Sequence, residues 1–174
     1  MNNSVTLSKS TGPIRCLGFL LDNEQGRLKY IFKAGLLVLV IGLPLAITLT
    51  ALFPNVNQLA DSFDFSDRKF IFKLLAAPIV ETMMMGLIFL LIRIFTKRLL
   101  VTCAVSAGIW AVLHGVSFPI QGVVNFFSFF IYSLGYLVWL KKSFHEAFLI
   151  TISIHMFNNA FVLIFIVLAM RFVT

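Results

Sequence analysis

LLVTCAVSAGIWAVLHGVSFPIQGVVNFFSFFIYSLGYLVWL, residues 99–140, runs for 42 residues without Asp, Glu, Lys or Arg. As one α-helix it would measure roughly 63 Å, about twice the hydrocarbon thickness of a bilayer, so it must fold back. The turn signals lie between Gly115 and Gly122, with Pro119 in the middle. Outward from this hairpin, residues 74–92 are apolar except for Glu81, and residues 147–170 form the last span. Residues 34–60 carry no charge, and Pro54-Asn55 marks the end of the first helix. The pattern predicts an all-α, polytopic membrane protein with a bundle of about five transmembrane helices.

Composition points the same way. Hydrophobic residues make up 60% of the 174 and charged residues 12%, with 20 Phe. A soluble fold of this size cannot hide that much apolar surface. Disorder, a collagen-like chain, a disulfide scaffold and a soluble nucleic-acid binder are excluded. The net charge of +7 is loop charge that sets orientation, not a nucleic-acid signal, and lipid is the implied partner. Cys16 lies in a polar stretch and Cys103 in an apolar run, so they do not form a disulfide framework. The first thirty residues lack the apolar core of a secretory signal. Residues 15–33 mix Leu17, Phe19, Leu20 and Leu21 with basic side chains, which predicts an interfacial helix. The chain therefore divides into a cytoplasmic or interfacial segment, 1–33, and a transmembrane helical domain, 34–174.

Basic residues fix the orientation. With the N-terminus inside, the cytoplasmic set is Lys9, Arg15, Arg27, Lys29, Lys33, Arg93, Lys97, Arg98, Lys141 and Lys142, against Arg68, Lys69, Lys73 and Arg171 outside. The expectation is a multi-pass protein of the cell membrane, N-terminus cytoplasmic and C-terminus outside.

Ionisable groups within a span are costly and mark function. Glu81, His114 and His155 are such groups, and Asn159 lies one turn beyond His155, with Asn158 on the same side. Counted from the nearest basic anchor at about 1.5 Å per residue, Glu81 and His114 each lie roughly 24 Å deep, and His155 and Asn159 roughly 20 and 26 Å. Three helices thus carry polar side chains into one layer. A carboxylate can deprotonate water, an imidazole can orient it or serve the leaving group, and a carboxamide can stabilise an oxyanion. The same Glu81, His114 and His155 could instead ligate a divalent metal such as zinc, and the sequence does not choose between the two. The aromatic run of the fourth span, Phe126, Phe127, Phe129, Phe130 and Tyr132, reads as lipid-facing and packing surface. His145 and Glu146 read as solvated boundary residues.

At these residues the chain resembles the CPBP family, the CAAX-processing endopeptidase and bacteriocin-processing intramembrane proteases. The likeness covers about 74–162. The family's Glu-Glu-x-x-x-Arg motif corresponds to Glu81-Thr82-Met83-Met84-Met85-Gly86, its Phe-x-x-x-His to Trp110-Ala111-Val112-Leu113-His114, and its His-x-x-x-Asn to His155-Met156-Phe157-Asn158-Asn159. The resemblance implies an endopeptidase acting on a peptide or membrane-protein substrate. Glu81 would activate water, His114 and His155 would be active-site histidines, and Asn159 would stabilise the oxyanion. The second Glu and the Arg are replaced by Thr82 and Gly86, four apart on one face, as for a lost ion pair. Met84 and Met85 are expected below Glu81, making its surroundings apolar. Two other readings are an inactive relative acting as a membrane interaction or immunity-type protein, and a small ion-coupled carrier. The carrier lacks the two related halves usual in that class.

The ten-to-four basic bias predicts that cysteines introduced at Ser62 and Thr174 are labelled from outside intact cells. Labelling of either site only from the cytoplasmic side would contradict the five-span arrangement.

Overall fold

A computed structural model describes residues 13–54, 71–116 and 118–173. A 3₁₀ segment, Pro13–Leu21, precedes five α-helices: α1 (Arg27–Leu52), α2 (Ala77–Phe95), α3 (Leu99–Gly115), α4 (Pro119–Trp139) and α5 (Phe144–Val173). A π-helical turn, Phe72–Ala76, leads into α2. There is no strand among the described residues, so the all-α bundle is as expected. α1 ends at Leu52, just before Pro54, as expected; the expected outer loop of residues 61–69 and Thr174 lie outside the described residues, as do the side chains of Cys16 and Arg171.

Four segments, Arg27–Leu52, Phe72–Phe95, Pro119–Trp139 and Phe144–Leu168, are long and apolar enough to cross a membrane. α3 is shorter: its 17 residues span roughly 25 Å, against a hydrocarbon core of about 30 Å. The expected hairpin is present, with α4 restarting at Pro119, where a missing N–H costs nothing.

The interfacial helix expected over 15–33 is broken in two. The 3₁₀ segment ends at Leu21, and α1 begins at Arg27, inside the segment assigned to the N-terminal region. Local side-chain bonds explain the break. Asp22 Oδ1 accepts the Glu24 N–H at 2.9 Å, and the Gln25 amide donates to the Phe19 and Asp22 carbonyls at 2.6 and 2.9 Å. These bonds hold the backbone in a turn rather than a helix.

α4 is the central helix. From Ser128 to Trp139 it is buried on every side except at Phe130, the pattern of a helix surrounded by others. Phe129 and Tyr132 accordingly form packing surface and Phe127 is exposed, the two roles expected within this aromatic run. α1, α3 and α5 pack against α4. The outward faces of the other helices carry apolar side chains such as Leu36, Val40, Leu87, Leu90 and Ile94, as lipid requires.

The two ends of the bundle differ. At the α1 N-terminal end, Tyr30 and Trp139 pack edge to face at 5.3 Å, and Tyr30 donates to the Leu20 carbonyl. Arg27 pairs with Glu146, and Lys142 with Glu24 at 3.5 Å. Glu146 is thus an ion-pair partner rather than a freely solvated boundary residue. This end is filled. The opposite half, holding the C-terminal half of α1 and the starts of α2 and α4, encloses a cavity.

The α3–α4 hairpin closes on glycine. A Cβ at Gly122 would lie 2.7 Å from both the Ala111 carbonyl oxygen and Gly115 Cα, and backbone cannot step aside as a side-chain tip can. Gly122→Ala is expected to lower stability in thermal melts in detergent by about 1–3 kcal/mol. Gly108→Ala, with open space around the new methyl, is expected to leave it unchanged or raised.

Candidate active site

Glu81 lies on α2 just past Pro78, His114 at the last turn of α3, and His155 midway along α5. The fold brings all three together. Glu81 Oε1 stands 3.7 Å from His114 Nε2, and Oε2 stands 3.5 Å from His155 Nε2. Each carboxylate oxygen therefore faces one imidazole, a little beyond hydrogen-bond length.

The backbone of α3 sets the His114 ring. Its Nδ1 lies 2.9 Å from the Trp110 carbonyl oxygen, which can only accept, so Nδ1 carries a proton. Nε2 is left to face Glu81, and the contact is favourable when a proton lies on one of the two partners. His155 is 5% exposed, and its Nδ1 has no hydrogen-bond partner among the described residues. Aromatic rings hold both imidazoles in place. Tyr132 stacks on His155 at 4.7 Å, while Phe129 meets His155 edge-on at 5.6 Å and His114 at 5.3 Å.

These groups line a cavity of about 430 Å³. Leu39, Leu43 and Ala46 of α1 form an apolar wall, and α4 faces them with Gln121, Asn125, Ser128 and Tyr132. Those four positions recur at i, i+4, i+7 and i+11, one helix face. The spacing is visible in the sequence, and the surrounding phenylalanines mask it. Asn158 and Asn159 complete the lining from α5.

Asn159 shares the cavity, but its amide is already engaged. Its Nδ2 donates to the Lys73 carbonyl at 2.9 Å. The cause lies in the π-helical turn, where each N–H reaches the carbonyl five residues back, as Ala77 does to Phe72. The next such donor would be residue 78, to Lys73, and residue 78 is proline, which has no N–H. Asn159 supplies the missing donor and so straps α5 to the entry of α2.

The remaining expectations around Glu81 change. Met84 points outward at 43% exposure, and Met85 is buried against α4, where Ser133 Oγ contacts its sulfur at 3.4 Å. Neither lines the cavity, because both lie one turn further along α2 from Glu81, beyond the half of the bundle that holds it. Thr82 is fully buried, and a Cβ on Gly86 would come within 2.9 Å of the Tyr136 hydroxyl. The space an arginine would need at residue 86 is taken by Tyr136.

Among the described residues, no group of three His, Cys, Asp or Glu donors is arranged to hold a metal ion. Glu81, His114 and His155 meet as one carboxylate between two imidazoles, not as three donors around a common centre, so a zinc site does not fit them as they stand. Comparisons with protein-family models, curated proteins and solved structures find no match.

Asn159→Ala leaves the Lys73 carbonyl without this donor and is expected to lower stability by about 1–3 kcal/mol in thermal melts, with no substrate present. Asn159→Asp should be at least as harmful, since a carboxylate cannot donate and repels the carbonyl. An unchanged melt in both variants would contradict the strap.

Proposed function

We propose that this chain is an intramembrane peptidase of the CPBP type. It would sit in the cell membrane with its N-terminus cytoplasmic and hydrolyse a peptide or membrane-protein substrate. One observation carries the reading: a carboxylate from α2 stands between imidazoles from α3 and α5 in the wall of a cavity. A carboxylate inside a bilayer costs a few kcal/mol, about +2.5–3.5 on insertion scales, so its retention beside two proton carriers favours proton chemistry over packing.

The steps use the chain's own groups. Glu81 takes a proton from water as the water oxygen bonds to the scissile carbonyl carbon. The carbonyl π pair moves onto oxygen, giving a tetrahedral oxyanion. His114, its Nδ1–H tied to Trp110, holds Glu81 through Nε2 and relays the proton to the departing nitrogen. The oxyanion pair then re-forms the carbonyl, the C–N bond breaks, and an acid and an amine leave. The apolar α1 wall suits aliphatic side chains, and the carboxamides of Gln121 and Asn125 suit the peptide backbone.

A second reading is a non-catalytic relative that keeps the cavity for binding. The commitment of the Asn159 amide to Lys73, together with the loss of charge at Thr82 and Gly86, favours it.

Glu81→Gln keeps the side-chain volume and removes proton acceptance, so cleavage of an apolar peptide by purified protein should fall by about 100-fold or more. Unchanged cleavage would exclude the mechanism. Intact biological function without cleavage by the wild type would favour the binding protein.

A further inference from the structure

Tyr132 is the one hydroxylated ring in the run from Phe126 to Tyr132, where the other four aromatic residues are phenylalanine. It is 1% exposed and lines the cavity. Its ring is fixed on two sides, stacked on His155 at 27° between planes and met by Phe129 at 5.4 Å. The hydroxyl makes no well-formed hydrogen bond among the described residues, and Asn158 and Glu81 line the same cavity. A buried hydroxyl without a partner costs about 1–3 kcal/mol, a cost phenylalanine would avoid. A bound group that accepts its proton would account for it.

The peptidase chemistry needs such a donor. The amide of Asn159, the residue the family resemblance would use, is engaged by the Lys73 carbonyl. We propose that the Tyr132 hydroxyl is the oxyanion donor of this site. The assignment rests on the peptidase reading. As the water oxygen bonds to the carbonyl carbon and Glu81 takes the proton, the π pair moves to the carbonyl oxygen, and Tyr132 O–H donates to it. When the pair returns and the C–N bond breaks, the proton that Glu81 took is relayed to the leaving nitrogen. Tyr132 keeps its own proton throughout. Its ring is held in advance, because stacking on His155 and contact with Phe129 leave it little freedom to turn.

The test uses the full chain in detergent micelles with a panel of quenched-fluorescent peptides, each carrying an apolar stretch. Wild type, Tyr132→Phe and Glu81→Gln are compared. Tyr132→Phe is expected to lower kcat by about 100-fold with KM nearly unchanged and the melting temperature unchanged or raised. Wild-type rates for Tyr132→Phe beside an inactive Glu81→Gln would overturn the assignment and leave the peptidase reading standing. No cleavage of any peptide by the wild type would overturn both. Should Tyr132→Phe melt early, 3-fluorotyrosine at position 132 keeps the packing while making the hydroxyl more acidic. It is expected to change kcat by about twofold or more, and an unchanged kcat would overturn the assignment.

Discussion

A carboxylate in the interior of a membrane bundle must be met by groups that can share its charge or its proton, and Glu81 imposes that demand on everything around it. α3 answers with His114, whose ring is set by its own backbone through the Trp110 carbonyl. α5 answers with His155, whose ring is set by the aromatic face of α4. Central placement of α4 follows, since Phe129 alone touches Trp110, His114, Tyr132 and His155. The core that makes α4 immobile is also the wall that makes the site rigid.

A second chain of cause runs through the entry to α2. Pro78 removes one backbone donor, the π-helical turn aligns that loss with Lys73, and Asn159 makes it good across 86 residues of sequence. The carboxamide thereby fixes α5 to the turn that precedes Glu81, which sets the register of His155 against the carboxylate. One end of the bundle is closed by Tyr30, Trp139 and the Arg27–Glu146 pair, so the cavity opens among the starts of α2 and α4 instead.

The helices and the three ionisable residues were legible because charge is scarce in this sequence. Each interruption of an apolar run stands out, and counting from basic anchors at a fixed rise brings Glu81, His114 and His155 to one depth. How far the cavity extends along each helix was not legible, and the polar face of α4 was hidden among its phenylalanines. That is why Met84 and Met85 were expected to border the Glu81 site, and why the aromatic run of α4 was read as lipid-facing and packing surface without a cavity wall in it. The Asn159 bond was hidden for another reason: its partner is a backbone carbonyl, which leaves no trace in residue type. The break at 22–26 was written in Asp22 and Gln25 but outweighed by the apolar residues on either side.

A double-mutant cycle measures whether Glu81 and His155 interact. Thermal stabilities of Glu81→Gln, His155→Gln and the double variant, compared with wild type in one detergent, give the coupling directly. A carboxylate held against this imidazole predicts a coupling of about 0.5 kcal/mol or more, with the double variant differing from the sum of the singles. Additivity to within about 0.3 kcal/mol would mean that the two side chains do not meet, and the site would not exist as described.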